Sequence, residues 1–418
     1  MHLPFVTLRI FILCLCLAGC ASVAPAPAGP STVLLVSIDA FHPGYLERGI
    51  TPNLSRIARE GVRAQWMNPS YPSLTFPNHY TIVTGLRPDH HGIIHNTMRD
   101  ESIGGFKIAD RDAVGDGRWW GGEPIWVGAE KAGLRSATMF WPGSEAEIDG
   151  VRPAHWLKYD EKVGYDARVD QVVAWLDVPV AQRPRIATLY LEKVDKAGHD
   201  FGPDSPQVRA AIIEADAAIG RLLRALAARG LSDRINLIVV SDHGMAAVAP
   251  GHAIAVEDMV PLEDAVVVSV GQSVGIAPRP GREARVEARL LGAHPQYDCW
   301  RKGELPPRWH YGTHPRIPPI VCQMHEGWDA LARESLLKRP KDATRGSHGY
   351  DPALPSMRAL FIARGPAFRS GTVIAPFDNV DVYPLLVRLL GLNAAASDGD
   401  PARLLPALRP ALAGDPPG

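Results

Sequence analysis

The chain has 418 residues, 46% of them hydrophobic, which is enough to bury a large core. Its formal net charge is −1 and it holds no block of basic residues, so a nucleic-acid polymer is not expected as a partner. Nucleotides stay open as small substrates.

Residues 1–19 read as an export signal. Arg9 precedes the apolar run "IFILCLCLAG", too short to remain in a bilayer as a span. The run ends in "LAGC", Leu17 to Cys20, which resembles a bacterial lipobox and predicts lipidation of Cys20. The Ala/Pro-rich residues 20–31 then form a tether. This reading makes the chain a cell-envelope lipoprotein facing the periplasm, touching the membrane only through that lipid. An ordinary signal peptide, giving a soluble periplasmic protein, is the alternative. Cys14 and Cys16 leave with the signal, so Cys299 and Cys322 are left to form a disulfide in a compartment that permits one, or to stay as buried thiols.

Beyond the tether, "STVLLVSID" is a continuous apolar run ending in Asp39, the pattern of a strand covered on both faces. "TPNLSRIAREG" predicts an amphipathic helix capped by Thr51 and stopped by glycine. "TFPNHYTIVTG" sets a lone Thr75 at the start of a helix-like run, either as a cap or as a nucleophile at the helix's positive end. Further strands are expected in "RIATLYLEKVD", ending at Asp195, in "INLIVVSDHG", running into Asp242, and in "MRALFIARGPAF". A long helix closed by Gly230 separates the first two. Strands alternating with helices imply an α/β fold with a mostly parallel central sheet. Residues 32–244 and 342–395 read as two parts of one catalytic core. Residues 245–341, with short alternating pieces and Pro-rich turns, read as an inserted small α+β subdomain stapled by Cys299 and Cys322. Residues 396–418 read as a loosely ordered tail.

Parallel sheets bind ligands beyond the carboxyl ends of their strands, where Asp39 and Asp242 should converge. His243 adjoins Asp242. "DKAGH" adds Asp195 and His199 four residues apart, on one side of a helical turn, and "RGSHGYDP" adds His348. Three carboxylates there would repel one another without cations. With three histidines they suit zinc, and manganese less sharply. Two divalent ions against three carboxylates leave one positive charge over, which a Thr75 alkoxide or a substrate phosphate would balance. Singly each piece is weak: a strand-terminal aspartate is often a helix cap, and "DHG" is an ordinary turn. His79, His90, His91 and His95 read as surface or supporting groups.

Taken together, "SIDAFHPGYL", "YPSLTFPNHYTIVTGLRPDHHGIIHN", "YLEKVDKAGHDFGP", "VVSDHGM" and "RGSHGYDP" resemble the nucleotide pyrophosphatase/phosphodiesterase family of the alkaline phosphatase superfamily, from Val33 to about Leu392. The resemblance implies an alkaline-phosphatase-like three-layer sandwich and two Zn2+ per chain. Asp195, His199 and His348 would hold one; Asp39, Asp242, His243 and Thr75 the other. Thr75 would be the nucleophile, Asn96 a side-chain donor to phosphate, and Phe76 with Tyr190 the aromatic pair flanking a nucleotide base. The implied reaction is hydrolysis of phosphodiester and pyrophosphate bonds in nucleotides through a phosphothreonine, by a chain read as a monomer. Two departures stand out: Lys193-Val194 where the family has Glu-Pro, which sets a lysine near the mouth of the site, and the C-terminal "NAAASDGDPARLL". A phosphonoacetate hydrolase-like or lysolipid phosphodiesterase member of the superfamily stays open. So does a non-catalytic zinc-binding envelope lipoprotein, which would have no use for Thr75 and Asn96.

Overall fold

The computed structural model describes residues 31–413; the signal segment, Cys20 and the tether up to residue 30 lie outside the described residues. At its centre is an eight-stranded sheet. Across it the order is Thr372–Ile374, Val62–Ala64, Phe361–Arg364, Ile235–Val240, Thr32–Ile38, Ile186–Leu191, Ser136–Met139 and His155–Trp156. All neighbours are parallel except around Phe361–Arg364, which runs antiparallel to both strands beside it.

Thr32–Ile38 is wholly buried because both faces are covered. Val33 and Leu35 belong to one core with the helices Thr75–Thr84, Ile125–Lys131 and Val382–Leu390. Leu34, Val36 and Ile38 belong to a second core with the helices Pro52–Glu60, Tyr165–Leu176, Lys193–Phe201 and Pro206–Ala228. Helix, sheet and helix make three layers, the alkaline-phosphatase-like sandwich.

The Pro52–Glu60 helix begins at the expected residue but is not capped as expected. Thr51 makes no capping hydrogen bond. The buried Asp216, from the Pro206–Ala228 helix, accepts the N–H groups of Asn53 and Leu54 at 3.1 and 2.8 Å instead. Its carboxylate neutralises the orphan donors of the first turn and ties two helices of one layer together.

A separate antiparallel sheet joins Ala265–Ser269, Ser273–Pro278, Ile320–Met324, Tyr297–Arg301 and Gly292–Ala293, in that order. It has its own core, including Val274, Val286 and Leu290. Cys299 and Cys322 are opposite one another on adjacent strands and are disulfide-bonded. The loop between these two cysteines returns to the first core: Trp309 stacks flat on Tyr71 at 4.0 Å, and Asp89 accepts the N–H groups of Gly312, Thr313 and His314. The stretch from 396 to 413 is held, contrary to the expectation of a loose tail. Leu404, Ala407 and Leu408 are buried in the first core, and Asp398 accepts the Arg87 N–H at 2.7 Å. Among the described residues no helix is long and apolar enough to cross a membrane.

Candidate active site

Parallel register sets Ser37 level with Tyr190 on one side and Val240 on the other. Asp39 and Asp242 therefore emerge at the same sheet edge. Asp195 and His199 follow on the Lys193–Phe201 helix, which starts just past the end of the Tyr190 strand. His348 follows the short strand Arg345–Ser347, paired with Ala246–Val248. That strand lies hard against the helix: a Cβ on Gly346 would sit 2.3 Å from the Gly198 carbonyl oxygen. Gly244 is glycine for the same reason, since a Cβ there would meet the Ser356 carbonyl oxygen at 2.1 Å. Close backbone approach carries the two histidines into one site.

The six side chains form two triangles. In the first, Nε2 of His348 lies 3.0 Å from Nε2 of His199, and Asp195 Oδ1 lies 3.4 and 3.5 Å from them. In the second, His243 Nε2 is 2.9 Å from Asp242 Oδ2, 3.5 Å from Asp39 Oδ1 and 3.3 Å from Thr75 Oγ1. A tetrahedral ion bound at about 2.1 Å needs donor atoms about 3.4 Å apart, which the first triangle matches and the distances from His243 Nε2 in the second approach.

The protonation pattern agrees. His199, His243 and His348 each direct Nδ1 at a backbone carbonyl, of Gly346, Gly244 and Ser73, at 3.0, 2.9 and 2.9 Å. Carbonyls only accept, so Nδ1 carries the proton and Nε2 offers its lone pair. The carboxylates divide in the same way. Asp39 Oδ2 accepts the Tyr190 hydroxyl at 2.5 Å, and Asp242 Oδ1 accepts the Ala40 N–H at 3.2 Å, from a residue in the left-handed region (φ 56°). Their other oxygens, and Asp195 Oδ1, are buried without a hydrogen-bond partner. A buried cluster of lone pairs with no protein donor needs positive charge.

Charge coupling follows from that crowding. Burial, Asp242 and Asp195 together push the Asp39 carboxyl well above the ordinary range. Burial pushes Asp242 the same way, but positive charge on the neighbouring His243 and His79 imidazoles would override it and hold that carboxyl well below its usual value, the part a bound cation would play when Nε2 is unprotonated. Burial, with His243 and His199 alongside, holds the His348 imidazole far below the usual range, so it is neutral and able to ligate.

Thr75 is the first residue of the Thr75–Thr84 helix rather than its cap; Leu74 precedes it as N-cap residue with no side-chain bond. Asn96 Oδ1 accepts the Phe76 N–H at 3.0 Å, which leaves the amide's Nδ2 as its free donor end. Phe76, Thr75, Asp39, Tyr190 and Asp195 line a cavity of about 230 Å3 that continues to Tyr159, Trp141 and Arg111. The structure thus gathers every ligand candidate, the nucleophile candidate and both aromatic candidates. Tyr190 lines the wall at 8% exposure with its hydroxyl engaged by Asp39.

Several groups here escaped sequence reasoning. Tyr159 and Arg111 come from loop and short-helix segments with no periodic signal, and Arg111 lies over the Tyr159 ring at 5.5 Å. Of the four histidines read as surface or supporting groups, only His90 is exposed. His79 is fully buried near Asp39 and Asp242, but Nδ1 meets the Thr75 carbonyl at 2.9 Å and Nε2 meets Ser37 Oγ at 2.8 Å. With both nitrogens engaged it braces the Thr75 turn. Lys193 does not reach the cavity: its amine pairs with Glu214 over the Tyr165 ring.

Residues 33–351 match the family described as type I phosphodiesterase/nucleotide pyrophosphatase. An uncharacterized pyrophosphatase/phosphodiesterase of Schizosaccharomyces pombe is 36% identical over 391 residues, covering 91% of this chain and 81% of the relative. Human ectonucleotide pyrophosphatase/phosphodiesterase family member 7 is 33% identical over 433 residues, covering 99% and 92%. The chain spans about half the length of the venom phosphodiesterases it matches, 47% for that of Crotalus durissus collilineatus. Among solved structures, an inactive threonine-to-alanine variant of murine ectonucleotide pyrophosphatase/phosphodiesterase 5, in complex with AMP, superposes with a TM-score of 0.86 at 34% identity, covering 91% of this chain and all of that one.

Proposed function

The chain belongs to the type I phosphodiesterase/nucleotide pyrophosphatase family, and on that premise we propose that it hydrolyses phosphodiester and pyrophosphate bonds of nucleotides through a phosphothreonine at a two-zinc site. One observation carries the reading. Three histidine Nε2 atoms and three partnerless carboxylate oxygens gather at one sheet edge, and one of those imidazoles, His243, lies 3.3 Å from Thr75 Oγ1. Asp195, His199 and His348 would hold one ion; Asp39, Asp242, His243 and Thr75 the other. Bound zinc would lower the pKa of the threonine hydroxyl and offset charge on the attacking and leaving oxygens.

The residues of the chain do the rest. The Thr75–Thr84 helix presents its positive end to Thr75 Oγ1 and to the substrate phosphate. Thr75 Oγ1, its proton lost to water, bonds to phosphorus as the bond to the leaving oxygen breaks and that oxygen takes the electron pair. Water then adds to phosphorus and the phosphorus–Oγ1 bond breaks, restoring the hydroxyl. Asn96 Nδ2 donates to a non-bridging oxygen whose charge grows in both steps.

Phe76 and Tyr159 flank the nucleoside in this reading. Tyr159 is the more open ring of the cavity, whereas Tyr190 is buried and serves Asp39 through its hydroxyl. The murine relative's complex with AMP supports a nucleotide as the ligand. Residues 1–31 keep their reading as signal, Cys20 lipidation site and tether of an exported envelope protein, and the chain is read as a monomer.

The test is hydrolysis by zinc-loaded protein of ATP, diadenosine polyphosphates, lysophosphatidylcholine and phosphonoacetate, with acid-quench trapping of phosphothreonine. We expect turnover of the nucleotides and label on Thr75. Preferred cleavage of lysolipid or phosphonoacetate would move the assignment within the superfamily. Stoichiometric zinc with no turnover of any phosphoester would make the site a zinc store.

A further inference from the structure

Asp195 and His199 stand one helical turn apart, yet each lines a different cavity. Asp195 borders the pocket of Phe76 and Tyr159. His199 borders a second cavity of about 490 Å3, walled by Ser347, Asp329 and the segment that contains Lys338, Arg339 and Arg345. The two share no lining residue.

They differ in charge. The Phe76 cavity is lined by five carboxylates (Asp39, Glu145, Glu161, Glu192, Asp195) and two cations (Arg111, Lys196). The second is lined by three cations, Lys338, Arg339 and Arg345, and one carboxylate, Asp329. Arg339 is committed to Asp329 in a mostly buried ion pair at 2.5 Å. The other two cations are free to be recruited. Lys338 pairs at 2.6 Å with Glu334 one turn earlier, both more than 70% exposed, and Arg345 reaches Asp200 at 3.2 Å. Neither Glu334 nor Asp200 lines the cavity. The Lys338 pair is held weakly because water and salt screen it, and Arg345, 25% exposed, has a partner that is itself 46% exposed, so an entering polyanion can draw both cations. The wall is also fastened to the reaction centre, since the Gly346 carbonyl accepts the His199 Nδ1–H at 3.0 Å.

We infer that this second cavity receives the departing part of the substrate and favours one that carries further phosphate groups, with Lys338 and Arg345 as its specificity residues. The inference rests on the phosphodiesterase reading, in which attack by Thr75 sends the leaving oxygen out beside Asp195, His199 and His348. The nucleoside then occupies the Phe76 and Tyr159 cavity, whose cations Arg111 and Lys196 are already paired with Glu145 and Glu161, and the phosphate chain occupies the basic one. Two sources share this chemistry: a nucleoside triphosphate, departing as pyrophosphate, and a dinucleoside polyphosphate, departing as a phosphorylated nucleoside. A nitrophenyl leaving group gains nothing from the cations.

The experiment compares kcat/KM of zinc-loaded wild type and the double variant Lys338→Gln/Arg345→Gln on ATP, diadenosine tetraphosphate and the nitrophenyl ester of thymidine 5′-monophosphate. We expect a loss of about tenfold on the polyphosphates, with a flatter salt dependence, and a change within about twofold on the nitrophenyl ester. Loss on only one polyphosphate supports the subsite and identifies its source. An equal loss on all three substrates, or none on either polyphosphate, overturns it. Wild type that cleaves the nitrophenyl ester but neither polyphosphate also overturns the subsite while leaving the phosphodiesterase reading intact. Wild type inert toward all three sinks that reading and the inference with it.

Discussion

The two triangles of the site use the same side-chain types and differ in their access to water. Asp39, Asp242 and His243 are at most 1% exposed, whereas Asp195 and His199 are 17% and 39% exposed, with His348 buried between them. The sealed triangle touches Thr75 and is braced by Tyr190, the Ala40 N–H and, through the Thr75 carbonyl, His79. The open one rests on a helix at the rim and a two-strand ladder. The contrast matches a division of labour. A nucleophile needs fixed geometry and a low dielectric, while departure of product and entry of water need an open edge.

The harshest test of that division is Thr75→Ala. It removes the one reacting atom from the sealed side and leaves the six carboxylate and imidazole ligand candidates in place. We expect turnover of nucleotide substrates to fall by about a thousandfold or more, with zinc content per chain unchanged by atomic absorption. Retained turnover would put the nucleophile elsewhere and end the distinction between the triangles. Asn96→Ala comes next. It removes a donor to phosphate, and also an acceptor for the Phe76 N–H, so a loss of about a hundredfold in kcat is expected. Asn96→Asp, which keeps the acceptor but places a carboxylate against phosphate, should be no better. Recovery in that variant would show that the residue only braces the helix.

Why the sequence made the ligands legible and not their supports follows from range. Asp39 and Asp242 each end an apolar run, and His243 and His199 sit one and four residues from a partner aspartate, so local pattern plus parallel topology brings them together. His348 had only the weak signal of a glycine-flanked turn in "RGSHGYDP", because its approach depends on Gly346 meeting Gly198 across 148 positions, a contact with no local signature. Supports are long-range throughout. The cap of the Pro52–Glu60 helix comes from Asp216, the hold on residues 396–413 comes from Arg87 and the first core, and His79 has both nitrogens engaged. Nothing in the residues around Thr51, Asp398 or His79 announces those partners. The antiparallel run of Phe361–Arg364 is similar: a covered strand is apolar whichever way it points.

The smallest effect distinguishes the two tyrosines. Tyr159→Ala removes an open ring from the cavity, and if that ring stacks on a base, KM for nucleotides should rise by about tenfold while kcat barely moves. Tyr190→Phe keeps the ring and deletes only the hydroxyl that Asp39 Oδ2 accepts at 2.5 Å. A buried carboxylate oxygen then loses its partner, a loss worth about 1–3 kcal/mol that shows as looser metal binding on the sealed side. Accordingly, Tyr190→Phe should leave nucleotide KM unchanged, lower kcat by about fivefold and speed loss of the second, slower zinc equivalent to a chelator. A raised KM in Tyr190→Phe, with zinc release at the wild-type rate, would return Tyr190 to the base-binding role and would show that the sealed triangle holds its ion without help from that hydroxyl.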